Sequence, residues 1–440
     1  MKQAIVIFGS TGNLMYKKLI PALDKLIKKG LLNKSSKIYC IARKDCTLKD
    51  YIADAKEFVK EDINWDELVP FLEYIVFDVK DVNDYLLLKN KIKSDGYTDL
   101  SIYLAVPPNL FPIIAKGVSE SKLIEKGDYK KRIVFEKPFG EDLTSAKDIN
   151  RELWKYFDEN QIYRIDHYLG KEMIQNILVV RFANVVFDHI WNNKTIASVS
   201  IIAKEKESVM SRGGYYDNIG ALKDMLQSHL LQMAALIAME KPTSLDSEAI
   251  KDKKVEILNK MQFKENDLIL GQYKGYSKTE KVAENSNTET FVYAKAFIDS
   301  KIWQGVPFHF LTGKNLDEKR SEIIIHFRDD STLKAYFPSA SKHQNKLTIR
   351  VAPKEGVQFQ LNVKEPGLGE KTIPANLDYC HSCDALENNP EAYEKLLLEL
   401  INKNRTLFTR WDEIETTWNL VDGFRNQDTK LYKYSSYQDM

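Results

Sequence analysis

His229 lies among apolar residues, Leu222, Met225, Leu226 and Met233, that recur at helical spacing, so the expected helix turns its imidazole inward. An imidazole titrates near neutral pH and can act as a general base, although a lone histidine on such a face is more often a satisfied core residue. A second stretch is denser in chemistry: Arg164-Ile165-Asp166-His167-Tyr168-Leu169-Gly170-Lys171-Glu172. It reads as the opening of a helix, with Asp166 near the N-cap and His167 and Lys171 four residues apart on one face. A Tyr, a His and a Lys over a helix N-terminus form a phosphate-binding site. The plainer alternative is an amphipathic helix start with a solvated lysine.

A third group lies near the N-terminus. Gly9-Ser10-Thr11-Gly12-Asn13-Leu14 occupies the step from an apolar run into a helical pattern. Glycines there let the backbone approach a pyrophosphate, and the following helix end offers amide donors. It lacks the strict three-glycine fingerprint, so alone it is equally a tight turn. Arg43 and Lys44 directly follow the second apolar run, where an NAD-selective fold usually places a carboxylate. Two cations suit a 2′-phosphate, which favours NADP over NAD. Lys137, in Glu136-Lys137-Pro138, follows the fifth run at a strand edge where ligands bind and can donate to both cofactor and substrate, and Pro138 is expected in a cis peptide.

These residues need a scaffold. Short apolar runs at 2–8, 37–42, 74–77, 101–106 and 132–135 alternate with helical patterns. That alternation predicts a Rossmann-like, doubly wound parallel sheet covered on both faces. From about residue 164 the style changes. Helical stretches at 166–186 and 220–240 are followed by strand-like runs at 196–203, 290–298, 321–327, 347–351 and 357–363, with 275–289 as a polar loop. Short links between the late strands predict a mainly antiparallel sheet with helices. The expected domains are therefore 1–163 and 164–440, and a chain of 440 residues is too long for one comfortable core.

Bulk composition excludes several classes. A formal net charge of +1, from 64 Lys and Arg against 63 Asp and Glu, gives no support to a nucleic-acid or membrane-surface partner. No apolar run is long enough for a signal core or a membrane span, so a cytoplasmic location is the default. Cys380 and Cys383 have the spacing of a metal half-site, but only Cys40 and Cys46 remain as partners, at another spacing. They are read as two ordinary thiols in a loop, and no metal is expected.

The stretch from Arg164 to Glu172 resembles the signature of glucose-6-phosphate dehydrogenases. The Gly9 turn, Arg43, Glu136-Lys137-Pro138 and Arg212-Gly213-Gly214-Tyr215-Tyr216-Asp217 occur in that family's order. So do Gly305-Val306-Pro307-Phe308 with Gly313-Lys314, and Asn389-Pro390-Glu391-Ala392-Tyr393-Glu394, a match over residues 4 to about 420. The resemblance implies oxidation of glucose 6-phosphate at its anomeric carbon with NADP, His229 as general base and Asp166 as its orienting carboxylate. It implies His167, Tyr168 and Lys171 as phosphate binders, with Lys137, Glu205, Asp224, Lys314 and Lys319 also at the substrate. Asp224 is five residues from His229, about 140° round an α-helix, and so is a poor local partner for it. Homodimers or homotetramers through the second domain's sheet are implied too.

The chain departs from the family pattern in Asn13, where relatives usually have Asp, in residues 206–211, and in shortened loops near 45–75 and 275–290. Two alternatives stand beside this reading. One is a glucose-fructose-oxidoreductase-like enzyme, which would lack the 166–171 cluster. The other is a catalytically silent NADP-binding regulator, which would not need His229 or Asp166.

Overall fold

The computed structural model describes residues 2–339, 343–381, 391–425 and 429–436. The chain forms two compact units. The first contains Met1–Gly170, Asp246–Lys251 and Pro390–Glu415; the second contains Lys171–Leu245, Asp252–Asn389 and Thr416–Met440.

In the first unit, strands β1 (Ala4–Phe8), β2 (Lys37–Ala42), β3 (Leu72–Val76), β4 (Leu100–Leu104), β5 (Lys131–Phe135) and β6 (Ile162–Ile165) run parallel. β1 and β4 are buried at every residue, because helices cover both faces of the sheet. The order β6-β5-β4-β1-β2-β3 reverses direction between β1 and β4, which opens a crevice at their carboxyl ends. The sixth strand was not expected from the sequence: Ile-Tyr-Arg-Ile is short, and its arginine disguises it as surface. Arg164 is nevertheless 1% exposed. Its guanidinium pairs with Glu159 at 2.7 Å, donates to Asn150 at 2.5 Å and stacks over Phe139 at 4.9 Å.

The second unit is built on β7 (Ile196–Lys204), β8 (Met261–Tyr273), β9 (Phe291–Ile298), β10 (Phe308–Gly313), β11 (Arg320–Phe327), β12 (Lys346–Ala352), β13 (Gly356–Lys364) and β14 (Thr372–Cys380). Late in the chain, β15 (Phe408–Thr409) joins the first sheet antiparallel to β6, and β16 (Leu431–Tyr434) pairs parallel with β8. The second sheet has the order β14-β13-β12-β11-β7-β10-β9-β8-β16. It is mainly antiparallel, with parallel pairs only at β7–β10 and β8–β16.

The expected helix over 166–186 does not form as one piece. Asp166 follows β6 and enters two tight turns, Leu169 N to Asp166 O at 3.1 Å and Gly170 N to His167 O at 3.2 Å. Lys171 is the N-cap, and the helix proper is Glu172–Phe182. The helix over 220–240 is also broken. A helix over Gly213–Ala221 kinks at Gly220 (φ 71°), a π-helix spans Leu222–Leu230, and an α-helix resumes at Leu231–Ala238. Cys380 ends a strand and is disulfide-bonded, which corrects the expectation of an ordinary loop thiol; Cys383 lies outside the described residues.

Candidate active site

In the first unit, the turn after β1 is forced by packing. Gly9 has φ 84°, and a Cβ there would stand 2.3 Å from the carbonyl oxygen of Ala105, just past β4. Only glycine lets these strand ends approach so closely. Gly9 N and Ser10 N both donate to Ile41 O, at 3.0 and 3.1 Å, clamping the turn to β2. Ser10 is buried, its hydroxyl donates to the same carbonyl at 3.1 Å, and its own carbonyl accepts from Tyr51 Oη. Ser10 therefore holds the turn, while Thr11 and Asn13 are exposed and Gly12 and Leu14 half-buried. The helix after this turn is already under way at Asn13 and Leu14, with its first turn closed by Tyr16 N donating to Gly12 O at 3.2 Å, so the amides before Tyr16 have no partner within the helix.

Arg43 and Lys44 emerge at the carboxyl end of β2, both exposed. Lys44 is tied up: it forms an ion pair with Asp54, and its carbonyl accepts from Tyr74 Oη at 2.6 Å. Among the described residues no carboxylate pairs with Arg43, so its guanidinium is the more available of the two.

A second group gathers where β5 and β6 end. Phe135 pairs with Arg164 in register, so Lys137 and Asp166 follow neighbouring parallel strands. Asp166 is 3% exposed, and its Oδ1 accepts from Tyr168 N at 3.0 Å. His167 is half-buried against the buried Tyr168, with ring centroids 5.1 Å apart. The Lys137–Pro138 peptide is cis, as expected. Beneath it, the Glu136 carboxylate accepts from Tyr103 Oη at 2.5 Å, Tyr393 Oη at 3.3 Å and Lys137 N at 3.2 Å. Desolvation raises the pKa of Glu136 despite these bonds. Tyr393 belongs to the helix Ala392–Ile401, whose start packs so tightly that a Cβ on Gly170 would lie 2.6 Å from Ala392 O.

In the second unit, His229 is 1% exposed on the π-helix, on which Asp224 is half-buried. This register corrects the geometry assumed for an α-helix. Hydrogen bonds of a π-helix close at i→i+5, so residues five apart lie along one side of it. Asp224 and His229 therefore share a side. Asp224 also borders Tyr215: burial first, then the Asp224 charge, raises the pKa of that hydroxyl, and Arg212 stacks over its ring at 4.5 Å.

Glu205, Lys314 and Lys319 line one cavity of about 330 Å³ together with Arg212 and Tyr216. Glu205 and Lys314 are ion-paired, Lys314 lies 5.1 Å from the Tyr216 ring centroid, and the exposed Lys319 stands 4.0 Å from Glu207. Asp217 is bonded into the 275–289 loop. Burial alone would raise its pKa, but bonds from Ser286 Oγ, Ala283 N at 3.1 Å and Tyr276 Oη at 3.0 Å hold the carboxyl below its ordinary value.

Several participants carried no usable sequence signal. Glu136 and Tyr393 sat inside quoted motifs without a role, and Tyr103 is an unremarkable strand residue. Arg212 and Tyr216 became cavity residues only through folding of the segment before Gly220.

A doubly wound sheet with a glycine turn at its switch point and a cation after the second strand defines a dinucleotide-linked oxidoreductase. The chain belongs to the glucose-6-phosphate dehydrogenase family: residues 6–176 match the family's NAD binding domain and residues 178–439 its C-terminal domain. It is 37% identical over 444 residues to the glucose-6-phosphate 1-dehydrogenase of Bacillus subtilis, covering 96% of this chain and 90% of that one. The Borreliella burgdorferi glucose-6-phosphate 1-dehydrogenase is 38% identical over 448 residues, covering 98% and 93%. A solved glucose-6-phosphate dehydrogenase in complex with its substrate glucose-6-phosphate superposes with a TM-score of 0.90 at 33% identity, covering 99% of this chain and 95% of that one. Among the described residues no helix is long and apolar enough to cross a membrane.

Proposed function

We propose that the protein oxidises D-glucose 6-phosphate to 6-phospho-D-glucono-1,5-lactone with NADP, the first step of the oxidative pentose phosphate pathway. One observation carries the reading: the substrate-bound relative superposes over nearly the whole chain. In this reaction the anomeric carbon loses its hydrogen as hydride and its hydroxyl loses a proton, leaving the carbonyl of the lactone. His229 takes the proton, and Asp166 orients the imidazole and stabilises the imidazolium that forms. His167, Tyr168 and Lys171 hold the substrate phosphate. Glu205 and Asp224 accept from sugar hydroxyls, and Lys137, Lys314 and Lys319 supply the balancing positive charge.

The dinucleotide fits the turn at residues 9–14, because the absence of a side chain at Gly9 keeps that backbone pressed against β4 and leaves the helix end open. Bound there, it supplies the hydride acceptor. Arg43 grips its 2′-phosphate, with Lys44 adding charge, so NADP is preferred and NAD is the weaker acceptor. The reading keeps residues 1–163 as the cofactor domain and 164–440 as the substrate and oligomerisation domain. It also gives a cytoplasmic homodimer or homotetramer. Exposed Val363, Leu377 and Tyr379 on one face of β13 and β14 support pairing through that sheet, and two Arabidopsis relatives are named cytoplasmic.

The test is direct. Purified protein should reduce NADP rapidly in the presence of glucose 6-phosphate, reduce NAD more slowly, and ignore unphosphorylated glucose. His229→Ala should lower kcat by about 10²–10⁴-fold while NADP still binds. A folded protein that binds NADP yet turns over nothing would establish the silent regulator instead.

A further inference from the structure

The π-helix that carries Asp224 and His229 is anchored at its first residue by a group outside it. Leu222 N donates to Glu289 Oε1 at 2.9 Å, and the preceding Ala221 N donates to the Glu289 carbonyl at 3.0 Å. Gly220 makes room for this: at φ 71°, a Cβ there would fall 2.3 Å from Glu289 Oε1. The neighbouring residue, Thr290, is fully buried and serves a different element. Its carbonyl accepts from Lys314 N at 2.9 Å, and its hydroxyl lies 3.0 Å from Tyr434 Oη. The Tyr434 hydroxyl in turn donates to Lys314 O at 2.5 Å. Burial raises the pKa of that hydroxyl, so it remains a donor. Both backbone groups of Lys314 are thereby fixed through Thr290 and Tyr434.

We infer that the dipeptide Glu289–Thr290 is the positioning element of the substrate unit. Glu289 sets the helix of the base, and Thr290 with Tyr434 sets the lysine of the substrate cavity. Successive Cα atoms are only about 3.8 Å apart, so one short piece of backbone entering β9 holds both groups in a fixed relation. Glu289 acts through hydrogen-bond acceptance, and Thr290 and Tyr434 act through the backbone of Lys314. This deepens the reading of His229 as base and Lys314 as a substrate ligand, and rests on it.

Two substitutions should separate the two arms. Glu289→Ala should lower kcat about 100-fold, the scale of a small misplacement of a reacting group, with KM for glucose 6-phosphate within about threefold. Glu289→Gln keeps the acceptor oxygen and should restore most of that loss. Tyr434→Phe should instead raise KM for glucose 6-phosphate about tenfold, the scale of one lost hydrogen bond, with kcat little changed. NADP affinity should be unaltered in all three. Should Glu289→Ala fail to fold, Glu289→Asp withdraws the acceptor by one methylene and carries the same expectation.

Hydrogen exchange of the 222–230 amides tests the anchor whatever the substrate proves to be: it should accelerate in Glu289→Ala and recover in Glu289→Gln. An inactive wild type with that exchange pattern removes the function but keeps the anchor. Unchanged exchange and kcat in Glu289→Ala, no rescue by Gln, or the same kinetic parameter moving in both arms overturns the inference.

Discussion

Glu205 and Lys314, 109 residues apart in the chain, are ion-paired just beyond the carboxyl ends of the parallel strands β7 and β10. Their backbones are locked as well: Glu205 N donates to Gly313 O at 2.9 Å, and Leu316 N donates to Glu205 O at 3.0 Å. A carboxylate and an ammonium are thus held side by side at the mouth of a cavity. Under the proposed function this pair would offer a hydroxyl acceptor and a counter-charge together, already ordered before a ligand arrives.

Lys314→Met should therefore raise KM for glucose 6-phosphate by about 10- to 100-fold, the scale of one or two charge-assisted hydrogen bonds. The melting temperature should move little, because the strand-end backbone bonds do not involve the ammonium. Steady-state kinetics beside a thermal melt check both halves. A large stability loss with an unchanged KM would assign the pair to structure alone.

Arg43→Ala should weaken NADP by about 10- to 100-fold and leave NAD nearly unchanged, since only the former carries the 2′-phosphate. Lys44→Ala should do less, because its ammonium already has a carboxylate, Asp54. Fluorescence titration of the reduced cofactors measures the ratio directly. Equal losses for both cofactors would remove Arg43 from the 2′-phosphate.

Gly9→Ala should destabilise the first unit by at least about 2 kcal/mol, combining the left-handed backbone with a collision. The colliding atom is the backbone oxygen of Ala105, which cannot swing aside as a side chain would. Chemical denaturation and cofactor titration should both register the change. A variant that melts like wild type would mean that the turn has more freedom than its packing indicates.

Asp217 supplies a dependence on pH. Its folded pKa is held below its unfolded value, so its contribution is fully present above the ordinary carboxylate pKa of about 4 and is lost as pH falls through the lowered value. Asp217→Asn should lower the melting temperature near neutral pH, and the gap to wild type should narrow as pH falls below the ordinary carboxylate range. A gap that stays constant with pH would show that the Asp217 charge is irrelevant to the 275–289 loop.

The parallel sheet was largely legible because its strands are buried on both faces and therefore read as continuous apolar runs. β6 was not, since its buried arginine is satisfied by Glu159 and Asn150 from elsewhere in the chain. The late strands at 196–203, 290–298, 321–327, 347–351 and 357–363 alternate and were found. β14 was missed because five of its nine residues are exposed and its pattern carries little apolar signal. His229 and Asp166 stood out in the sequence as residue types able to do acid–base chemistry, and both prove to be buried. The local geometry of the His229 segment was not legible, because the Gly220 kink and the π-helix after it sit against Glu289, far along the chain, in contacts that no local pattern encodes. Glu136 shows the same limit: its partners Tyr103 and Tyr393 lie 33 positions before it and 257 after it.

The two-residue strand β15 has a consequence for how the molecule is made. Thr409 bonds to the carbonyl of Arg164, 245 residues earlier. At about 5–20 residues per second on a ribosome, the rim of the parallel sheet waits roughly 12–50 s between emergence of β6 and arrival of its partner. Throughout that interval the nascent chain presents a bare strand edge of the kind that recruits other strands. A chaperone that shields this edge during synthesis would therefore raise the yield of folded protein. A released chain truncated before residue 408 should accordingly be more prone to aggregate than the full-length chain.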